Sequence, residues 1–308
     1  MSKVTISSGS PSQDLTPQSS DRSLNHKTHQ YGEHSLQKVD VWEFTRRAER
    51  PGSVPPYWVI YIHGGAWRDP RLTAADFQPS VDRISTAGSL VDETVQGFIS
   101  IDYRLSPHPE FPQDSATPSS DLRSAQHPDH IQDIRSALKF VQTKYNVSDN
   151  YVLVGHSAGA TLAFQLLMRD SVLAGQPLQE VLLPKAIIGI SGIYDLVGID
   201  ARHDGQYAGF ISAAFGKDKA KWATASPVQF NGSFGEKWAN GALSMLAWSP
   251  EDTLIDEPEI DNMTAKLRND GIRAEVCKTL VGDHDDVWQN GRQLARLVEE
   301  TLRLLEHN

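Results

Sequence analysis

Tyr151-Val152-Leu153-Val154-Gly155-His156-Ser157-Ala158-Gly159 runs from an apolar stretch of strand length into a serine bracketed by glycines, and an apolar helical segment begins directly after Ser157. A strand that turns this abruptly into a helix forces the serine into a strained backbone conformation, and side chains beside it would collide unless glycine takes their place. The turn also sets Ser157 near free amides and the positive end of a helix dipole, which favours negative charge developing there. A bare G-x-S-x-G arises by chance on the order of once in ten chains of this length, so the weight of the motif lies in its setting. The bland alternative is a strand-to-helix turn with an inert serine, and a second motif upstream argues against it.

Outward from this junction the alternation of strand and helix repeats. Tyr57-Trp58-Val59-Ile60-Tyr61-Ile62 is apolar throughout, as a strand covered on both faces must be, and Val39 to Phe44 reads as a half-buried strand. Gly97 to Ile101, Ala186 to Ile190, Ala242 to Ala247 and Ala274 to Leu280 read as further strands. Asp129 to about Tyr145 reads as a helix with Ile131, Ile134, Leu138, Val141 and Tyr145 on one face, and Arg292 to Leu305 closes the chain as another. This order predicts the α/β class, with a mainly parallel central sheet and helices on both faces.

A chain of 308 residues with 39% apolar content can bury one large core, so one catalytic domain is expected over residues 35–308. Residues 1–34 are too polar to offset the entropy lost on ordering and are expected to form a disordered tail. Residues 113–128 are polar and turn-rich, as a surface loop would be. Residues 192–240 carry Tyr207, Phe210, Phe215, Trp222, Phe230, Phe234 and Trp238, more rings than a connector needs. They are expected to form a small cap over the site, with most of the rings serving to pack it.

Composition removes several classes of function. The net charge of -10 and the lack of any Lys/Arg-rich block speak against a nucleic-acid partner. The one cysteine, Cys277, rules out an internal disulfide and a cysteine zinc cage, and fits a reducing compartment. No segment approaches the roughly 18 uninterrupted apolar residues of a membrane helix, and the opening residues hold no apolar run of a signal peptide. The expectation is a cytoplasmic protein with no membrane partner.

A serine at such a turn needs donors for an oxyanion, a base and an acid. His63-Gly64-Gly65-Ala66-Trp67 follows the apolar strand ending at Ile62, and its glycines let backbone amides approach a substrate without side chains in the way. The donors are assigned to Gly64, Gly65 and Ala158, the residue after the nucleophile; His63 is assigned to anchoring the loop and Trp67 to packing. The partners of such a serine follow it in the order acid, then histidine. Of His203, His284 and His307, His203 precedes the strand that should carry the acid and His307 is the penultimate residue, which leaves His284 in Gly282-Asp283-His284-Asp285-Asp286. Asp252, in Ser249-Pro250-Glu251-Asp252, is the expected acid, with Glu251 and Asp256 as rivals. The H-x-x-H pairs His26/His29 and His127/His130 lack the H-E-x-x-H arrangement, so no metal is expected.

Taken together, the His63 to Trp67 loop, Tyr103-Arg104-Leu105-Ser106-Pro107, the Gly155 to Gly159 turn and Gly192-Ile193-Tyr194-Asp195-Leu196 resemble the hormone-sensitive-lipase-like branch of the α/β hydrolases. The expected architecture is accordingly the α/β-hydrolase fold. Trp67 in place of a third glycine, and His284-Asp285-Asp286-Val287-Trp288-Gln289-Asn290-Gly291, are similar to the eukaryotic kynurenine formamidases, those of fungi above all. The likeness runs from Val39 to the C-terminus and departs in the tail and in residues 113–128. It implies cofactor-free hydrolysis of N-formyl-L-kynurenine, a small-molecule substrate, to L-kynurenine and formate, as a step of tryptophan breakdown, with a homodimer left open. A short-chain carboxylesterase of the same branch would share every catalytic residue. A non-catalytic ligand-binding relative would be expected to have lost the serine or the histidine. By location alone, Arg202 is a candidate for holding the amino-acid end of the substrate.

Overall fold

Tyr57–Ile62 is buried along its whole length, sending Tyr57, Val59 and Tyr61 into one apolar layer and Trp58, Ile60 and Ile62 into the other. That two-sided burial makes it the centre of a sheet. The computed structural model describes residues 23–45 and 55–307. Its strands are β1 (Leu24–Gln30), β2 (Lys38–Phe44), β3 (Tyr57–Ile62), β4 (Val95–Ile101), β5 (Tyr151–His156), β6 (Ala186–Ile190), β7 (Leu243–Ala247) and β8 (Ala274–Cys277). They form one sheet in the order β1-β2-β4-β3-β5-β6-β7-β8. β1 and β2 run antiparallel, as do β2 and β4, and the remaining pairs are parallel.

Helices cover both faces. Against the Val59 and Tyr61 side lie α1 (Gln78–Ile84), α2 (Ser89–Thr94) and, near the C-terminus, α11 (Arg292–Glu306), whose Leu294, Leu297, Val298 and Leu302 fall at helical spacing. The opposite face carries α3 (Asp129–Tyr145), α4 (Ala158–Met168) and α9 (Glu257–Asn269). Between β6 and β7 the chain makes α5 (Leu196–Arg202), α6 (Ala208–Phe215), α7 (Lys219–Ala225) and α8 (Phe234–Lys237), and α10 (Asp286–Gln289) precedes α11. Among the described residues no helix is long and apolar enough to cross a membrane.

The expected disordered tail through residue 34 needs correction where the structure describes it. Residues 1–22 lie outside the described residues, but Leu24–Gln30 pair with Lys38–Phe44 as an edge strand. His26 stacks on Trp42 at 4.7 Å, and the Thr28 hydroxyl donates to Asp40 at 2.5 Å. An edge strand draws on backbone pairing and needs few apolar side chains, so polar composition hides it. At the other edge the ladder stops at Cys277, short of the expected Leu280. Residues 113–128 carry no helix or strand; nearby, the Ala125 amide donates to Leu105 (3.1 Å) and the His127 amide to Ala214 (2.7 Å).

Candidate active site

Ser157 directly follows β5, with φ 52° and ψ −120°. Such a conformation costs a residue other than glycine on the order of 1–3 kcal/mol and persists only where packing overdetermines it. Here it does: a Cβ on Gly155 would collide with the backbone of Gly159 and Ala160, and a Cβ on Gly159 with the carbonyls of Ile62 and His63. α4 therefore lies directly against the ends of β3 and β5, and every one of its residues is buried. The Ser157 amide donates to Ile190 at the end of β6 (2.9 Å), tying the turn to a third strand.

The loop after β3 reaches the same place. A Cβ on Gly64 would stand 3.0 Å from the Ser157 Cβ and 2.9 Å from His156 Nδ1, so the Gly64 backbone lies against the serine. The Tyr103 hydroxyl donates to the carbonyls of His63 (3.2 Å) and Gly64 (3.1 Å), and His63 Nδ1 donates to the Gly64 carbonyl (2.9 Å). In planar trans peptides, fixing those two carbonyls turns the Gly64 and Gly65 N–H groups the other way. Neither amide has an acceptor among the described residues. Ala158 opens α4, where an N–H has no intrahelical partner. Burial pulls His63 down to about 4, and its ring stacks on Tyr103 at 4.5 Å, so at neutral pH it is an uncharged anchor. Trp67 is fully buried and meets Phe215 edge-on at 4.9 Å.

The third segment arrives after β8. His284 Nδ1 lies 3.1 and 3.0 Å from the two carboxylate oxygens of Asp252, in the loop after β7. A carboxylate there keeps the proton on Nδ1 and leaves Nε2 as the basic nitrogen. Burial pushes the Asp252 carboxyl up, but the His284 hydrogen bond and charge, the Ile255 amide and the nearby Ser191 hydroxyl outweigh it and hold it below the usual range. The rivals are engaged elsewhere: Glu251 accepts from the Gly282 amide (2.7 Å), and Asp256 pairs with Arg202 (2.6 Å). Ser157 Oγ and His284 Nε2 have no hydrogen-bond partner among the described residues.

Two further residues hold this loop, and the sequence offered no sign of them. His156, the variable position of G-x-S-x-G, is buried and donates from Nε2 to the His284 carbonyl (3.1 Å). Burial and the neighbouring His284 keep it well below the usual histidine value. Asp283 accepts from the Thr253 amide (2.9 Å) and hydroxyl (2.8 Å), stapling the histidine loop to the acid loop. One trio of possible metal ligands, His156, His284 and Asp285, gathers within 4.8 Å among the described residues, with one nitrogen of each imidazole already engaged as above.

The rings of residues 192–240 divide by burial. Phe215, Trp222, Phe230, Phe234 and Trp238 are buried as packing, whereas Tyr207 and Phe210 are half-buried. Arg202, a candidate for substrate binding by location, is instead committed to Asp256 and Glu259. His26 and His29 sit on an edge strand at a spacing that points them to opposite faces. His130 is buried against the Ser106 hydroxyl (3.1 Å), and burial takes His127 and His130 to about 4 and about 3.

A family model described as alpha/beta hydrolase fold matches residues 59–240. A kynurenine formamidase-like hydrolase of Fusarium equiseti is 36% identical, with 88% of this chain and 90% of that protein covered. A kynurenine formamidase of Aspergillus versicolor is 34% identical over 77% of this chain and 85% of its own. Among solved structures, a truncated carbohydrate esterase from gut microbiota superposes with a TM-score of 0.63 at 17% identity, covering 92% of this chain and 98% of that one, a likeness of fold.

Proposed function

The chain belongs to the kynurenine formamidases of the α/β-hydrolase family, and from that premise we propose that it hydrolyses N-formyl-L-kynurenine to L-kynurenine and formate through Ser157, His284 and Asp252. Ser157 Oγ attacks the formyl carbon as His284 Nε2 takes its proton. The resulting oxyanion is held by the amides of Gly64, Gly65 and Ala158. Collapse breaks the C–N bond, the imidazolium returns the proton to the departing aryl amine, and a formyl ester remains on Ser157. Water, deprotonated by His284, attacks that ester; formate leaves and Ser157 recovers its proton.

The observation that carries this reading is the hydrogen bonding of His284 Nδ1 to Asp252, on loops at the same end of the sheet as Ser157. Residues 192–240 act as the cap. A cytoplasmic location belongs to the proposal, since a chain with one cysteine has no need of an oxidising compartment. The test is kcat/KM for N-formyl-L-kynurenine beside that for p-nitrophenyl acetate, with fluorophosphonate labelling of Ser157. The formamide should win by orders of magnitude; the reverse order would favour a carboxylesterase.

A further inference from the structure

A substrate that is an amino acid presents a carboxylate at the end away from its formyl group, and a cation in the site would recognise it. The arginines on the segments around Ser157 are nearly all spent. Arg71 pairs with Asp69 (2.6 Å), Arg104 with Asp133 (2.8 Å), and Arg202 with Asp256 (2.6 Å) and Glu259. Arg68 alone of these has no hydrogen bond or ion pair from its guanidinium among the described residues.

Its place is suited to the task. The Arg68 amide donates to the Gly65 carbonyl (2.9 Å), so the residue is built onto the loop that presents the oxyanion donors. Its guanidinium carbon stands 5.8 Å from the centroid of the Phe210 ring, at the start of α6. Phe210 lies 5.1 Å from Tyr207, whose hydroxyl donates to the Leu254 carbonyl (2.5 Å), two residues beyond Asp252. These contacts carry α6 from the oxyanion loop to the acid loop, with two half-buried rings between and Arg68 at one end. A guanidinium that is partly desolvated and unpaired gains more from an anion than one in open water.

We propose that Arg68 binds the α-carboxylate of the substrate and so sets the preference for an amino-acid formamide over a simple aryl formamide. The inference rests on the formamidase reading above. Its test uses wild type, Arg68→Met and Arg68→Lys with N-formyl-L-kynurenine and with 2-formamidoacetophenone, which keeps the aryl ketone and formamide but lacks the amino-acid end. Wild type should prefer the first substrate, and Arg68→Met should shrink the ratio of the two kcat/KM values by about 100-fold, chiefly through KM, with Arg68→Lys between. A ratio unmoved by Arg68→Met overturns the role of Arg68 and leaves the formamidase reading standing. If wild type cleaves neither formamide but turns over p-nitrophenyl acetate, the formamidase reading itself fails and takes the proposal with it.

Discussion

His156 donates from Nε2 to the carbonyl of His284 across 3.1 Å, and the two rings lie 4.6 Å apart, so the residue before Ser157 sets the backbone of the residue proposed as its base. The link spans the elbow and the last loop of the sheet, which nothing local joins. Removing it should loosen the base without removing any reacting group. His156→Ala is expected to lower kcat by about 10- to 100-fold with little change in KM, since misplacement of a base by a fraction of an ångström is costly. Stopped assays beside a thermal melt would check it; a fall in melting temperature with kcat intact would reduce His156 to a core residue.

Asp252→Asn should keep the loop, because an amide oxygen can still accept from Leu254 and Ile255, which Asp252 Oδ1 holds at 2.9 Å each. It would present the wrong partner to His284 Nδ1, and kcat should drop by about 10³- to 10⁴-fold. Glu251→Gln should stay within a few-fold of wild type, since among the described residues the Glu251 carboxylate accepts only from the Gly282 amide. Comparable losses in both variants would show that the acid had been assigned wrongly.

Two glycine substitutions should move stability in opposite directions. At Gly159 an added methyl meets the carbonyls of Ile62 and His63, which are backbone and cannot yield, so Gly159→Ala should cost more than about 3 kcal/mol. At Gly209, inside α6, an added methyl meets nothing within 4 Å. Gly209→Ala should raise stability by about 0.5–1 kcal/mol, the ordinary helix difference between the two residues. Urea unfolding midpoints of the pair would decide.

The buried histidines predict acid sensitivity with a definite sign. His130 is carried by burial from 6.5 to about 3 in the folded chain, so between those values the unfolded chain binds more protons and stability falls as pH drops through 6.5. Between pH 8 and pH 5 wild type should lose about 2 kcal/mol more than His130→Gln, which does not titrate. Comparing the two proteins cancels the other titrating groups. Equal losses would mean that His130 titrates alike in the folded and the unfolded chain.

Much of the site was legible because its demands are local. A strand-to-helix reversal at Ser157 needs glycine at 155 and 159 within the same few residues, and the backbone contacts there explain why. The Tyr103-Arg104-Leu105-Ser106-Pro107 segment shows no chemistry in its residue order alone, and its physical work emerges from the fold. Tyr103 pins the two carbonyls behind the proposed oxyanion donors, Arg104 is locked to the buried Asp133, and the Ser106 amide donates to the Trp67 carbonyl (2.8 Å). β1 escaped because polar residues on an edge strand carry no apolar period to read.

From amino-acid order alone came the alternation of strand and helix, the elbow at Ser157 and the glycine loop after β3, all of which depend on neighbours a few residues away, and the position of His284, which follows from the order of segments after Ser157. Tertiary structure alone decided which carboxylate among Glu251, Asp252 and Asp256 faces His284, that His156 supports that loop, and that Arg202 is spent while the Arg68 guanidinium has no hydrogen bond or ion pair among the described residues. The physical reason is direction. Side chains two residues apart in a loop point different ways, and which of them finds a partner depends on segments that meet only when the sheet has formed.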